Sequence, residues 1–488
     1  MDALVAKLGV APVVAIGLVV FYVLYVIIRT ETSPLAKFPG PWFARYTDLH
    51  QKYYVMTARR IFYIDDMHKK YGPVMLISPN EVSFTSPEVF NEVHKIGNGY
   101  LKSDWYTKFR PGGPPDVFAV IDPKIHAFKR RLLARPFSLS SLRTNWEDLV
   151  ISLAREAVQK IKMEAECGTA CVFKWLTLMT TDIIGEIAFG EPFNMVKTGE
   201  RNAFVKDIEA VIKANGLRSE IPRLFDFLKM FGLFPELANQ NKRVFAYGDK
   251  VLENASERDN LAKANIFKGI LEDAEKEGSI FTHEMLPIEA SGLVVAGSGT
   301  TAVTGTYLIW SILKNPKIQA RLEAEVAELL PEWRDADLEK LPYINALIRE
   351  ALRLFSAAPG SLPRTVPKDR PLTIDGFVIP PGTTVSSQAY TMHRDPAVFK
   401  DPLTFNPDRF LNGGPESKAT FSHFGAGSRA CLGYHLAYMQ LRHALTFLFR
   451  ECKGLKLGAS MNDEDAMTMV NFFLISPKGH RMDVKMRE

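Results

Sequence analysis

The stretch FGAGSRACLG at residues 424–433 constrains the fold most, because it places a cysteine in a glycine-rich loop just before a helix. Gly425, Gly427 and Gly433 carry no side chain, so the backbone there can approach something flat and bulky. Residues 434–449 repeat apolar side chains with a helical period. Cys431 is therefore predicted near a helix N-terminus, where partial positive charge and free N–H groups stabilise a thiolate.

A thiolate in a close-packed apolar pocket is a ligand for iron, and as an axial ligand it favours O–O bond cleavage at haem. The plainer alternative is a buried cysteine that acts only as a small apolar group. If haem is bound, Arg429 is placed to meet one of its propionates, and Phe424 is placed to shield the sulfur. The loop predicts haem b with Cys431 as the axial ligand of the iron.

Composition sets wider limits on the chain. With 488 residues, 47% of them hydrophobic, it can bury a large core, and a net charge of +5 is too small to argue for nucleic acid. Four cysteines are too few for a disulfide framework, which favours a reducing compartment. Cys167 and Cys171 lack accompanying histidines, so we expect apolar packing there and no zinc site.

The N-terminus predicts a membrane anchor. Residues 8–28 carry no charge over 21 positions, enough to cross a bilayer, and no small-residue cleavage site follows them. A slight excess of basic residues after this segment favours a cytosolic body. We therefore expect an anchor at 1–30, a proline-rich linker at 31–42 and a catalytic domain at 43–488.

Beyond the linker the pattern is mostly helical. Apolar residues follow a helical period in 139–165, 284–315, 317–330 and 341–355. Short β-like runs lie near 73–85, 372–390 and 468–484. Asn315 and Pro316 predict the start of a new helix after the second of the helical segments. The fold class expected is one large α-rich domain with a small β-sheet subdomain.

The cysteine loop resembles the haem-binding loop of the cytochrome P-450 family of haem-thiolate monooxygenases. Phe424, Gly427, Arg429, Cys431 and Gly433 match the defining positions of that family's loop, and Gly425 lies within it. Three further motifs follow the family's order, so the resemblance covers essentially the whole chain. It implies the cytochrome P-450 fold and a reaction that inserts one atom of dioxygen into a substrate.

The second motif combines REALRL (349–354) with FNPDRF (405–410). Glu350 and Arg353 lie at i, i+3 on one helix, and such pairs are by themselves usually solvated surface contacts. The resemblance implies that Arg409 joins them in a buried ion-pair triad. A triad of this kind is expected to fix the fold around the haem and not to add much stability.

The third motif lies in the long helix ASGLVVAGSGTTAVTGTYLIW at 290–310. The resemblance implies that Ala296 and Gly297 open a groove over the iron and that the Thr300 hydroxyl helps deliver protons to bound dioxygen. The alternative interpretation is close packing of helices through small residues. The sequence departs from the family at Gly299, where an acidic residue usually precedes the threonine.

The basic run KIHAFKRRLLAR at 124–135 has three interpretations. Composition alone allows a solvated helix face or a patch for nucleic acid or acidic membrane. The resemblance implies that His126 and Arg130 contact the haem propionates, and that Arg364 in LPRTVP does so as well.

The substrate is the least specified feature. By resemblance, the pocket walls come from residues 100–120, from lid helices at about 200–250 and from a late hairpin, and their composition suggests a lipophilic small molecule. The aromatic residues expected there are Tyr100, Trp105, Tyr106, Phe109, Phe472 and Phe473. The stretch 223–237 either contributes to the pocket or dips into the membrane surface.

The function expected is that of a monooxygenase of the endoplasmic-reticulum membrane. The stretch HRDPAVFKDPLTFNPDRF (393–410) resembles fungal microsomal members of secondary metabolism. No Rossmann glycine fingerprint is present, so electrons from NADPH are expected through a separate reductase, with cytochrome b5 as a possible second donor. Two alternatives stay open: a haem-thiolate isomerase or dehydratase that needs no reductase, and a non-catalytic haem sensor or electron carrier with a second axial ligand.

Overall fold

The structure is a computed structural model that describes residues 10–109, 114–190, 192–233, 235–236, 239–240, 242–243, 246, 285–411, 413–418 and 422–486. Two helices among these residues are long and apolar enough to cross a membrane. The window Val14–Glu31 has no buried residue, whereas 61% of the window in Leu286–Leu313 is buried. The second is therefore a core helix, and the first is consistent with the predicted anchor.

The proline-rich segment after the first helix contacts the body of the protein. Ser33 caps a short 3-10 helix, Pro34–Lys37, by accepting a hydrogen bond from the Leu35 N–H at 3.2 Å. Leu35 and Phe38 are both buried in an apolar cluster formed mainly by strand residues. The Tyr46 hydroxyl donates to the Glu31 carboxylate at 2.5 Å, which ties the end of the first helix to the body.

Seventeen α-helices lie in the described residues and make up most of the fold. They are α1 Val10–Glu31, α2 Leu49–Met56, α3 Arg60–Tyr71, α4 Pro87–His94, α5 Pro123–Ala134, α6 Leu139–Asn145, α7 Glu147–Glu166, α8 Val172–Phe189, α9 Met195–Thr198, α10 Ala203–Glu220, α11 Pro222–Met230, α12 Leu286–Leu313, α13 Pro316–Ala327, α14 Asp335–Leu338, α15 Pro342–Phe355, α16 Ala389–Met392 and α17 Tyr434–Glu451. The mainly helical fold class is confirmed.

The strands are short and form four small sheets. They are β1 Val74–Ser78, β2 Glu81–Phe84, β3 Leu101–Lys102, β4 Ala170–Cys171, β5 Arg364–Thr365, β6 Leu372–Ile374, β7 Phe377–Ile379, β8 Thr384–Ser386, β9 Lys456–Leu457, β10 Met469–Asn471, β11 Ile475–Pro477 and β12 Asp483–Lys485. The largest sheet has the order β1-β2-β8-β5-β3, in which only β2 and β8 pair in parallel. The others are β4-β12-β9 and the hairpins β6-β7 and β10-β11.

The helix boundaries follow local signals where these exist. The Asn315 side chain accepts hydrogen bonds from Lys317 N–H and Ile318 N–H, and Pro316 is the first residue of α13, as predicted. The segment expected to be helical at 139–165 is helical, with a break at Trp146 that divides it into α6 and α7. The side chain of Trp146 is buried in the core, so packing holds a break that the apolar period does not reveal.

The core places α12 at the centre of the molecule. This helix packs against α8 along its length and also contacts α15 and α17. The mixed five-stranded sheet and its apolar cluster lie beside this helical core. The long helix α12, the cysteine loop and strand β5 thus belong to different parts of one packed body.

Candidate functional site

The cysteine loop has a geometry that needs glycine. Residues Gly427–Arg429 form one turn of 3-10 helix, and the Cys431 N–H donates to the Phe424 carbonyl at 2.8 Å. Gly427 has a φ of 62°, and a Cβ atom there would lie 1.9 Å from the His94 carbonyl oxygen. No other residue fits that position, which fixes the loop against the end of α4.

The thiol of Cys431 is surrounded by protein, and burial is the main reason that its pKa is raised. Cys431 is nevertheless exposed. A side chain that is surrounded by protein and still exposed lines a cavity. The Gly433 N–H and the Arg130 charge act in the opposite direction and lower the thiol pKa. The loop therefore presents a sulfur to an interior space, and the Gly433 N–H and the Arg130 charge only partly offset the effect of burial, which raises the thiol pKa.

Phe424 lies beside the sulfur loop within a group of rings. Its ring centroid is 4.7 Å from that of His423, 5.9 Å from that of Tyr434 and 6.0 Å from that of Tyr438. Gly425 has a left-handed φ of 70°, and no heavy atom lies within 4 Å of a Cβ placed on Gly433. The start of the loop therefore has a backbone conformation that favours glycine, and the space beside Gly433 at its end is empty of protein atoms.

Four cations converge near this loop without a carboxylate partner. Arg429 donates to the carbonyls of Val120 and Ile121 at 2.6 and 2.8 Å, and Arg130 donates to the Ala430 carbonyl at 2.6 Å. Arg364 contacts the Tyr106 hydroxyl at 3.3 Å, and the buried Lys102 donates to the Phe118 carbonyl. None of the four forms an ion pair in the part of the chain that the structure describes.

These charges perturb one another because they share a buried region. Burial and the nearby Arg364 lower the pKa of Arg429 to about 10. The pKa of Lys102 falls well below its usual value for the same two reasons. His126, also buried, has its pKa lowered to about 3 by burial and then by Arg429, so it is neutral. The region therefore carries an excess of positive charge in the protein interior.

Haem fits this arrangement. Isolated buried charges are costly, and Asp116 and Asp122 act on Lys102 and Arg429 only without forming an ion pair with them, so the four clustered cations fit a further anionic group. Haem brings two propionates, and the cysteine loop brings a sulfur that faces interior space. If haem is bound, Lys102, Arg130, Arg364 and Arg429 would lie near its propionates, and no sequence motif indicated Lys102.

The basic run divides into two faces once it is folded as α5. His126 and Lys129 point inward and are buried, whereas Lys124, Arg131 and Arg135 are exposed. Lys129 pairs with Glu289 of α12 at 2.7 Å and donates to the Pro115 carbonyl at 2.6 Å. This buried ion pair locks α5, α12 and the segment at 115–120 together, and sequence reasoning missed it.

The glycine-rich stretch of α12 is closely packed at Gly297 and has open space beside Gly299. A Cβ on Gly297 would lie 2.5 Å from the Ile184 side chain of α8, so the packing interpretation describes this residue. The expected contribution of Gly297 to a haem groove stays a prediction. Ala296 is exposed within a helix that is otherwise mostly buried, and a Cβ on Gly299 would meet nothing closer than Leu474 at 3.9 Å. The space beside these two positions is open, and the role of Ala296 in a groove over the iron stays a prediction.

Thr300 follows Gly299 on the same helix. Its hydroxyl donates to the Ala296 carbonyl at 2.7 Å. The lone pairs of its oxygen are left to accept a hydrogen bond from water or substrate.

The residues of the predicted triad meet in the core. Arg353 donates to both oxygens of Glu350 at 2.7 and 2.8 Å, and Arg409 contacts Glu350 at 3.2 Å. The Asn406 N–H donates to Glu350 at 2.8 Å as well. Arg409 has a second carboxylate partner at 2.6 Å, Glu416, which the sequence motifs did not indicate. The group is a cluster of two carboxylates and two guanidiniums.

Part of the expected substrate wall forms an aromatic cluster. The Phe473 ring lies 6.2 Å from Trp105 and 5.8 Å from Phe118, which itself lies 5.4 Å from Tyr106. Trp105 also donates to Glu220 at the end of α10 at 3.3 Å. Two expected wall residues lie elsewhere: Tyr100 packs against the cluster beside the sheet, and Phe472 is exposed.

The remaining expected pocket segments are described only in part. The side chain of Phe109 and much of 234–250 lie outside the described residues. Within α11 and the turn after it, Leu224, Phe227, Met230 and Phe231 are exposed, whereas Phe225 is buried. Most apolar side chains of this stretch therefore point away from the core.

Comparison with known proteins supplies an independent finding. The family model for cytochrome P-450 matches residues 39–482. The chain is similar to the cytochrome P-450 monooxygenase aflV of Aspergillus parasiticus, at 36% identity over 93% of this chain and 92% of the relative. It is also 36% identical to the monooxygenase stcB of Emericella nidulans, over 92% of this chain and 88% of the relative, and to tazI of Aspergillus terreus, over 95% and 96%.

Proposed function

Because this chain belongs to the cytochrome P-450 family and is a haem monooxygenase, we propose that it oxygenates a lipophilic small molecule with electrons from NADPH. In this proposal Cys431 holds the iron, and Lys102, Arg130, Arg364 and Arg429 hold the propionates. A flavoprotein reductase supplies the electrons, with cytochrome b5 as a second donor. The fungal relatives support a role in secondary metabolism.

The observation that carries the proposal is the pairing of one sulfur with four unpaired cations. Cys431 faces interior space, and the cations beside it have no carboxylate partner in the described residues. Thiolate-bound haem supplies the activation of dioxygen. The aromatic cluster of Trp105, Phe118 and Phe473 supports a lipophilic substrate, because such walls bury apolar surface.

Thr300 and Gly299 define how protons reach the site. Gly299 offers no carboxylate, and the space beside its Cα is open. The Thr300 oxygen accepts a hydrogen bond from an ordered water or from a hydroxyl of the substrate, and the Ala296 carbonyl fixes its orientation. In this role Thr300 positions the proton donor and is not itself the acid.

The exposed apolar residues support a position of the body against a membrane, which in this proposal is that of the endoplasmic reticulum. Helix α1 crosses the bilayer, and α11 presents Leu224, Phe227 and Met230 outward. Such a face is typical of a helix that lies in a membrane surface. The exposed cations of α5, Lys124 and Arg131, are available for an acidic surface of the reductase.

The ligand assignment is tested with carbon monoxide. Cys431→Ala should abolish the absorption band that reduced, carbonyl-bound haem gives with a thiolate ligand, because no other thiol shares this loop. Cys167→Ala, at an exposed position, is the matched control and should keep the band. Retention of the band in Cys431→Ala would overturn the assignment.

The reaction class is tested by measuring product, hydrogen peroxide and NADPH together with a reductase present. Thr300→Ala should raise the peroxide released per NADPH consumed, because the proton donor loses its partner. Unchanged coupling in this variant would refute the proposed proton route. The open position at Gly299 also favours an isomerase or dehydratase reaction, and product formed without any reductant would establish that function instead.

A further inference from the structure

A groove outside the haem region lies between α2 and α3. It has a volume of about 550 Å³, which is within the range of small-molecule sites. Seven of its thirteen lining side chains carry an aromatic ring, among them Phe43, His50, Tyr54 and Tyr63.

The rings in the groove are arranged with flat faces and edges close together. Tyr54 and Tyr63 stack at 4.3 Å between centroids with an interplanar angle of 8°. His50 meets both of them edge-on, at 5.0 and 4.8 Å, and lies 4.5 Å from Phe43. Offset and edge-to-face contacts of this kind extend readily to another flat ring.

The rim of the groove carries polar groups. Arg59, Asp66 and Lys70 line it, together with the hydroxyls of the tyrosines. Lys70 lies 5.1 Å from the centre of the Tyr71 ring, and Arg59 forms no ion pair within the described ranges. A ligand with hydroxyl or carbonyl groups at its edge would find donors and a cation there.

The groove lies next to both the anchor and the hairpin β10-β11. Pro41 and Phe43 form part of its wall, and the Tyr46 hydroxyl contacts Glu31 at the end of α1. On the other side, the Asn471 N–H donates to the Ala58 carbonyl at 2.8 Å, and Arg59 pairs with Asn471 as a β-bridge. The same hairpin continues into Phe473 of the aromatic cluster.

We propose that this groove binds a flat, polycyclic aromatic molecule that bears hydroxyl or carbonyl groups, at a site separate from the haem cavity. The occupant extends the Tyr54–Tyr63 stack from the Tyr54 side, because Tyr63 is buried, and directs its polar edge toward Arg59. A flexible aliphatic chain fits less well, because Pro41 and Met67 are the main aliphatic side chains of the lining. A molecule held here lies between the membrane anchor and the hairpin that borders the catalytic cavity.

The test measures binding with the haem iron blocked by an excess of an azole inhibitor. The full chain is placed in lipid nanodiscs, and 1-hydroxypyrene is titrated by equilibrium dialysis against empty nanodiscs. One saturable site per protein is expected, and an excess of laurate should not displace the probe. The measurement does not depend on turnover, so it is independent of whether the monooxygenase proposal succeeds.

Two variants report on the groove itself. Thr57→Trp, at an exposed lining position, should fill the groove and abolish saturable binding, whereas Leu330→Trp adds the same ring at an exposed surface position elsewhere and should leave it unchanged. Tyr54→Leu should weaken binding by about threefold to tenfold, because it removes one stacking ring. Absence of a saturable site, equal affinity in Thr57→Trp, or displacement by laurate would each overturn the proposal.

Discussion

The buried cluster around Glu350 makes the strongest prediction about stability. Glu350→Gln keeps the shape of the side chain but removes the negative charge that faces Arg353 at 2.7 Å and Arg409 at 3.2 Å. Arg353 keeps three carbonyl acceptors, which carry no net charge; they belong to His393, Pro402 and Thr404. Arg353 then has no carboxylate partner and Arg409 keeps only Glu416, which should cost about 3–5 kcal/mol, a large part of the about 5–15 kcal/mol by which a typical protein is stable.

Two neighbouring substitutions provide graded controls. Glu416→Gln removes one contact of Arg409, which still has Glu350, and the Glu416 side chain is 23% accessible, so the cost should be about 1 kcal/mol. Asp408→Asn breaks a pair with Arg321 in which both side chains are at least half exposed, and should cost less than about 1 kcal/mol. The expected order of destabilisation is therefore set by burial and not by the distance between the charges.

The assay compares the yield of haem-loaded protein and the midpoint of urea unfolding followed by haem absorbance. Glu350→Gln should give little haem-loaded protein, and what forms should unfold at a much lower urea concentration. Asp408→Asn should match the unsubstituted chain in both measurements. Equal midpoints for Glu350→Gln and Asp408→Asn would refute the reasoning, because they would show that the buried pair contributes no more than a surface pair.

Two further predictions follow from packing and from buried titratable groups. Gly297→Ala should destabilise the protein by about 1–3 kcal/mol, because its Cβ would lie 2.5 Å from the Ile184 side chain. Gly299→Ala should be neutral or stabilising by up to about 1 kcal/mol, because the space beside it is open. Thermal unfolding of both variants checks this, and Ile184→Ala should rescue the stability of Gly297→Ala. Burial lowers the pKa of His423 to about 3, so stability should fall by about 1.4 kcal/mol per pH unit as the pH drops from about 6.5 toward 3, because the unfolded chain takes up the proton first. Urea midpoints at pH 7 and 5 should show a smaller drop for His423→Phe than for the exposed control His480→Gln, and equal drops would contradict the assignment.

Features that depend on neighbouring residues could be predicted from the sequence. Asn315 and Pro316 mark a helix start through their own backbone chemistry, and the glycines around Cys431 mark a loop for the same reason. The motif containing Glu350 and Arg353 was recognisable because the two lie one turn apart on one helix. In each case the physical cause lies within a few residues of the signal.

Features that depend on distant contacts could not be predicted. The Lys129–Glu289 pair joins residues 160 positions apart, and neither residue type is expected to be buried. Lys102 lies on a strand of two residues that exists only through its pairing with β5. The close packing of Gly297 depends on Ile184 on another helix, so the motif alone could not reveal it.

The four cations beside the cysteine loop also affect how the protein matures in a cell. Without two carboxylates from a cofactor, Lys102, Arg130, Arg364 and Arg429 repel one another in the interior, and the folded chain loses part of its stability. If these cations hold the propionates, as proposed above, bound haem raises the folded population by mass action. We then expect newly made chains to be degraded when haem synthesis is limiting, so that the amount of this protein follows the rate of haem production.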